Sequence, residues 1–367
     1  MRVTRLEFSG LRCFERGEMA PGPGLNLLVG PNGSGKSSVL EALHLMAYGR
    51  SFRGRVRDGL VRQGDAALEV FVEWEEASGR LRRAGLRHSG QAWEGRLDGG
   101  PLAQLGDLCA ALAVVTFEPG SHALVMGGAE PRRRFMDWGL FHVEPAFLGL
   151  WRRYARALKQ RNSLLKLRHR AGELDAWEVE LAASGTALTR HREHYLAQLQ
   201  PWLAEATADL LPEAGATALQ FLPGWRREDL SLADALLLAR ERDLATGFTS
   251  VGPHRADWRS EHARIPGREA LSRGQAKLTA LAALRAQGAH QADARDDWPV
   301  IALDDLASEL DRPHQRRVLE RLRDDGAQVL VSGTEAPAGL AELGTPVTVF
   351  HVEQGRLAAE APPSPAT

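Results

Sequence analysis

Gly30-Pro31-Asn32-Gly33-Ser34-Gly35-Lys36-Ser37-Ser38 brings glycines, one lysine and adjacent hydroxyls together at fixed spacing. The glycines let successive backbone N–H groups curl round phosphate oxygens without a Cβ in the way. A helix opening at Lys36 adds the partial positive charge of its N-terminus. In this G-x-x-x-x-G-K-S pattern the lysine reaches the β- and γ-phosphates of a nucleotide, and the hydroxyl that follows, Ser37, ligates Mg²⁺. A second group is carboxylic: Ile301-Ala302-Leu303-Asp304-Asp305 is an apolar strand with two acids at its C-terminal end, where α/β sheets present ligands. Asp304 is expected in the Mg²⁺ shell beside Ser37, and Asp305 is placed to polarise an attacking water. Lys36, Asp304 and Asp305 are thus the candidate catalytic set. A third group, Leu271-Ser272-Arg273-Gly274-Gln275, opens an Ala/Leu-rich helix. Taken alone, Ser272 reads as an ordinary N-cap. Its place shortly before the carboxylate strand shifts the balance toward a second phosphate contact.

These groups need a scaffold. Leu25–Val29 is a short apolar strand running straight into the glycine-rich loop. Val39, Leu40, Leu43 and Met46 then recur at helical spacing until Gly49 stops the helix. Residues 66–117 read as strands with one short helix, and Val329–Val331 is a further apolar strand. From about Pro131 to Arg242 the pattern is helical. Leu148, Trp151, Ala155, Leu158, Asn162 and Leu165 step by three and four, and a second seam runs through Trp177, Leu181, Ser184, Leu188, His191 and Tyr195. Gly172 lies between them, which predicts an antiparallel helical hairpin. The fold class expected is α/β, a P-loop head built from both chain ends with an inserted helical domain. The predicted divisions are 1–125 and 247–355 for the head, 126–246 for the helical insertion and 356–367 for a disordered Pro-rich tail.

Composition narrows the class. The chain has 367 residues, 25% of them charged, and a formal net charge of −1, so a basic surface must be local. Cys13 and Cys109 are the only cysteines, which excludes a disulfide scaffold and a Cys-rich zinc site. The first residues contain no apolar signal segment, and the run Leu108–Phe117 is about half of a membrane span. A reduced, cytoplasmic setting without a membrane is expected. Of 46 basic residues only four are lysine, and two of these, Lys36 and Lys277, fall in or beside the motifs above. A GC-rich genome explains most of the Arg bias.

The glycine-rich loop, the L-S-x-G-Q element and the acidic strand end, in that order, resemble the ABC-type ATPase heads. The similarity is closer to the RecF family of bacterial recombination-mediator ATPases. It is carried by Phe8-Ser9-Gly10-Leu11-Arg12-Cys13-Phe14, Gly30–Ser38 and Pro131-Arg132-Arg133-Arg134-Phe135-Met136-Asp137. Tyr154–Asn162, Gly252-Pro253-His254-Arg255-Ala256-Asp257, Leu271–Lys277 and Asp304–Asp311 complete it. The resemblance implies ATP and Mg²⁺ as cofactors, and slow, DNA-stimulated hydrolysis used as a switch. It implies an ATP-dependent homodimer in which Ser272, Arg273, Gly274 and Gln275 meet the γ-phosphate held by the partner subunit's Lys36. Ser308 and Asp311 would form the D-loop crossing between subunits. Arg12 would touch phosphate, a surface charge being the alternative. The implied setting is bacterial, cytoplasmic and nucleoid-associated. The implied role is recombinational repair and the SOS response, with RecR and RecO, in loading RecA at single-stranded gaps.

Two departures from the ABC pattern stand out. Ser332-Gly333-Thr334-Glu335 carries no switch histidine, leaving Thr334 as a weak γ-phosphate sensor. Glu118-Pro119 stands where other ABC heads carry a glutamine. A transporter-energising subunit would need that histidine and a shorter stretch before Leu271–Gln275. An SMC-type structural head would need long heptad arms, which are missing.

The window Arg132–Arg170 holds eleven Arg/Lys against Asp137 and Glu144, while Ala171 to Glu213 is acidic. Pairing between these arms is one outcome. The other is a row of Arg152, Arg153, Arg156 and Lys159 that tracks a DNA backbone, duplex or single/double-strand junction, without reading bases. Arg50, Arg53, Arg55, Arg57 and Arg62 form a second basic candidate. No mechanism is evident for His254 and Arg255, for which a structural role is expected.

Overall fold

The computed structural model describes residues 1–54, 59–167 and 171–360. Arg55, Arg57, Arg168, Arg170 and residues 361–367 lie outside the described residues; of the stretch 356–367 expected to be disordered, Arg356–Ala359 is instead a strand, held by antiparallel pairing with Val347–Glu353. The chain divides into two compact units, Met1–Ser121 with Gly288–Thr367, and His122–Gln287.

The first unit is built on two sheets. One has the strand order Arg356–Ala359, Val347–Glu353, Leu25–Val29, Val329–Gly333, Val300–Leu303, Val114–Phe117, parallel except at its first pair. Its central strands read as continuous apolar runs because both faces are covered, and Val300–Leu303 and Val114–Phe117 are buried throughout. The other sheet is antiparallel, in the order Phe14–Met19, Arg2–Leu11, Leu68–Glu75, Leu81–His88, Trp93–Leu97, Gly100–Pro101. It alternates: Leu68, Val70, Val72 and Trp74 face the core while Glu69, Phe71, Glu73 and Glu75 face outward. Helix Lys36–Tyr48 packs against strands of both sheets. Only Ser37 and Tyr48 along it escape burial, so it is enclosed on every side, with Glu41 and His44 among the buried residues. Gln328 ties the sheets together: its side chain accepts from Val3 N (2.7 Å) and donates to Val3 O (2.9 Å) and Gly22 O (2.8 Å).

The second unit is mainly helical, with helices Ala129–Val143, Phe147–Lys166, Ala171–Leu210 and Leu232–Thr246. The middle two form the expected antiparallel pair: Phe147 meets His191, the Tyr154 ring fills the space left by Gly185, and Arg161 meets Glu178. The buried face differs from the predicted seam. Tyr154, Ala157, Arg161 and Leu165 are buried, while Trp151 is 37% exposed. The reason is Arg161, fully buried because it donates to Glu178 Oε1 (2.9 Å), Asp243 Oδ2 (2.7 Å) and Thr249 Oγ1 (2.9 Å). A hydropathy pattern assigns arginine to the surface; complete pairing reverses that.

Two further differences follow from pairing partners distant in sequence. Thr217–Leu222, inside the stretch expected to be helical, is a strand paired antiparallel with Asp257–His262. Residues 247–287 accordingly group with the helical unit, where the expected boundary at 246 assigned them to the head. His254 has the structural role expected: it bonds Tyr154 Oη at 2.7 Å and Thr249 O at 2.9 Å, and burial lowers its pKa to about 4. The neutral ring therefore links the hairpin to the Gly252–Asp257 segment, while Arg255 lies over the Phe248 ring.

Candidate nucleotide site

The loop Gly30–Gly35 joins strand Leu25–Val29 to helix Lys36–Tyr48. Its curvature depends on two glycines with left-handed backbone, Gly33 (φ 77°) and Gly35 (φ 115°). At Gly35 a Cβ would also collide with the Phe14 ring and the Cys13 sulfur. Lys36 Nζ lies over the loop, donating to Gly30 O at 2.8 Å and Pro31 O at 2.9 Å. Burial lowers its pKa, and Asp305 and Asp304 oppose that shift. Ser34 Oγ is buried and, among the described residues, has no hydrogen-bond partner.

The two carboxylates arrive from strand Val300–Leu303. Ser37 Oγ donates to Asp304 Oδ1 at 2.9 Å, so residues far apart in sequence meet as the pattern predicts. Ser37 and Asp304 form an all-oxygen pair suited to a hard divalent cation, and they are the residues that would hold Mg²⁺. Burial raises the Asp304 pKa, against hydrogen bonds from Ser332 and Ser37 that lower it. Asp305 sits in the left-handed region (φ 54°, ψ 40°) and caps the short helix Leu306–Glu309. Sequence reasoning singled out neither Ser332 nor Glu41. Ser332 Oγ donates to Asp304 Oδ1 (2.6 Å) and accepts from Asp305 N (3.0 Å). A small polar residue ending a buried strand beside the carboxylate strand was the available signal.

Arg12, read as a phosphate contact or a surface charge, is found paired with Glu41. Its Nε and Nη2 donate to Glu41 at 2.9 and 2.7 Å, and Glu41 is fully buried within the helix that follows the loop. Withdrawing Arg12 to serve a phosphate would weaken the pairing of a buried carboxylate, a change costing about 3–5 kcal/mol when the partner is lost outright. The geometry therefore makes Arg12 a brace for the helix. Arg53 lies close by, 3.4 Å from Ser38 Oγ and 3.9 Å from Glu41.

The remaining motif residues are found as follows. Ser308 Oγ donates to Asp305 Oδ1 at 2.9 Å, and Asp311 caps helix Arg312–Asp324 by accepting from His314 N at 3.0 Å. Thr334 is exposed. Glu118 turns back on its own loop, accepting from Gly120 N at 2.5 Å. In the second unit, Ser272 and Gln275 form a reciprocal capping box at the start of helix Arg273–Arg295: Ser272 N donates to Gln275 Oε1 (3.0 Å) and Gln275 N to Ser272 Oγ (3.2 Å). Ser272, Arg273 and Gly274 are exposed. Of the basic row, Arg156 and Lys159 are exposed, whereas Arg153 pairs in a fork with Glu180 across the hairpin.

A strand-loop-helix phosphate cradle with a hydroxyl-carboxylate pair, its helix packed against strands of two sheets, defines the head of an ABC-type ATPase, and residues 2–357 match the family model of the RecF/RecN/SMC N-terminal domain. A protein from Stenotrophomonas maltophilia named DNA replication and repair protein RecF is 64% identical, over 98% of this chain and 100% of its own. One of the same name from Shewanella baltica is 38% identical over 97% and 99%. The chain belongs to the RecF family of DNA replication and repair proteins. A solved structure described as the recombination mediator protein RecF-ATP in the RecFOR pathway shares the fold, with a TM-score of 0.86 at 23% identity over 98% and 97% of the two chains. An Smc head bound to the C-terminal winged-helix domain of ScpA is more distant, with a TM-score of 0.60 at 15% identity over 98% of each chain. No helix among the described residues is long and apolar enough to cross a membrane.

Proposed function

We propose that this chain binds and hydrolyses ATP with Mg²⁺, that ATP drives two copies together on DNA, and that hydrolysis releases them. The observation carrying this is the meeting of Ser37 and Asp304 at 2.9 Å beneath the Lys36 loop, in a chain of the RecF family. Lys36 and the backbone N–H groups of the loop would hold the β- and γ-phosphates and the charge that develops on them. Ser37 and Asp304 would hold Mg²⁺, which supplies charge neutralisation between the phosphates. Asp305 would orient the attacking water.

The signature residues Ser272 to Gln275 would reach the γ-phosphate bound by the partner subunit, with Ser308 and Asp311 at the crossing. Ser272 is exposed at a helix N-terminus, as such a contact requires. By family membership the role is recombinational repair with RecR and RecO, loading RecA at single-stranded gaps, in bacterial cytoplasm at the nucleoid. The ATP-bound RecF structure supports the same assignment.

The deciding experiment is light-scattering mass without nucleotide, with Mg²⁺ and ATP, and with duplex DNA added. The mass is expected to double with ATP and shift again with duplex; a monomer throughout would refute the clamp. Ser272→Arg is expected to leave ATP binding by the monomer intact, read with a fluorescent nucleotide, while abolishing the doubling. Loss of nucleotide binding itself would refute a role in trans. Changing Arg152, Arg156 and Lys159 together to Gln is expected to weaken duplex binding and to flatten the slope of log affinity against log salt by about one per lost phosphate contact. An unchanged slope moves the interface elsewhere, first to the Arg50–Arg62 segment.

A further inference from the structure

We propose that Ser332 is a positioning residue that holds the two carboxylates of the nucleotide site in register, through Asp304 Oδ1 and the Asp305 backbone. Its role rests on the ATP and Mg²⁺ site proposed above. Ser332 is fully buried near the end of strand Val329–Gly333, which pairs in parallel with strand Val300–Leu303. Its Oγ accepts from Asp305 N at 3.0 Å and donates to Asp304 Oδ1 at 2.6 Å. A hydroxyl has one proton and two lone pairs. With the Asp305 amide on a lone pair, that proton is committed to Asp304. One side chain therefore fixes both the orientation of the first carboxylate and the point at which the chain turns to present the second.

The turn needs such a restraint. Asp305 holds a left-handed backbone (φ 54°, ψ 40°), which a non-glycine residue keeps only where its surroundings over-determine it. Ser332 supplies one restraint from inside the sheet, and Ser308 Oγ supplies another by donating to Asp305 Oδ1 at 2.9 Å.

Ser37 cannot do the same work. It too donates to Asp304 Oδ1, at 2.9 Å, but a hydroxyl that ligates a cation turns its lone pair toward the metal. Ser332 lies below the surface and keeps Asp304 oriented whichever partner Ser37 takes. Outer-shell donors of this kind are typically worth 10–100-fold in metal affinity or activity.

The test uses the full chain with Ser332→Ala and Ser332→Cys, the latter keeping nearly the same volume with a weak donor. Folding is checked by thermal melts, and the cysteine variant carries the test where alanine melts early. A fluorescent ATP analogue is titrated in EDTA and in Mg²⁺, and kcat and KM for ATP are measured. Affinity in EDTA is expected to stay within about twofold of wild type, while the gain brought by Mg²⁺ falls roughly tenfold, KM for ATP in Mg²⁺ rises in step with it, and kcat falls about 10–100-fold. An unchanged Mg²⁺ gain and kcat in a folded variant overturn the role of Ser332, as do equal losses with and without Mg²⁺, which mark damage to the loop. A wild-type chain that binds no analogue overturns the nucleotide site itself.

Discussion

Lys36→Ala is expected to weaken ATP binding by on the order of 100-fold or more and to abolish the ATP-driven doubling of mass. The ammonium is held over the loop by the carbonyls of Gly30 and Pro31, at 2.8 and 2.9 Å. Lys36 is the only lysine before Lys159, in a chain that otherwise uses arginine. A charged donor contributes about 1.5–3 kcal/mol per hydrogen bond, and two phosphate contacts account for the expected loss. Lys36→Arg is not expected to restore binding, because a planar guanidinium is larger than the point charge this loop encloses. Fluorescent-nucleotide titration and light scattering read the two effects separately. ATP-driven dimers of Lys36→Ala would remove nucleotide from the mechanism altogether.

Arg161→Met is expected to destabilise the helical unit by about 3–5 kcal/mol, lowering its melting midpoint by roughly 6–20 °C. Arg161 and Asp243 are fully buried, and Glu178 is nearly so. Methionine has a similar volume, so little is lost in packing. The cost comes from two carboxylates left inside without their guanidinium. Asp243 keeps Ser250 as a donor and Glu178 keeps Arg240, which places the loss within that range rather than beyond it. Neutralising both acids in the same background, with Glu178→Gln and Asp243→Asn, is expected to recover part of the midpoint. Calorimetry checks the pair of variants. A midpoint within about 2 °C of wild type for Arg161→Met alone would show that the buried network adds nothing to stability.

The candidate site was largely legible because its motifs are local. Gly30 to Ser38 carries its own turn, its own helix start and its own cation, and the acids at the end of an apolar strand can point only to the ligand side of a parallel sheet. Their meeting at Ser37 and Asp304 needed no information beyond order and spacing. The helical hairpin was legible for a similar reason, as two amphipathic runs close together in sequence. What the sequence could not show was pairing between polar groups brought in from afar. Arg161 reads as surface until Glu178, Asp243 and Thr249 converge on it, and that convergence turns the buried face of its helix by one position. Arg12 reads as a phosphate contact or a surface charge, and its pairing with Glu41 shows only in the fold. Thr217–Leu222 becomes a strand only because Asp257–His262 offers it an edge. Ser332 reads as an ordinary strand end until Asp304 and Asp305 come within reach of its one hydroxyl. Glycines, apolar periodicity and charge type act through neighbours along the chain, so the sequence by itself determined the fold class, the loop and the candidate residues that meet beside it. The orientation of those residues depends on which buried donor finds which acceptor, and in the low-dielectric interior an unpaired group is too costly to leave, so only the tertiary structure decided it.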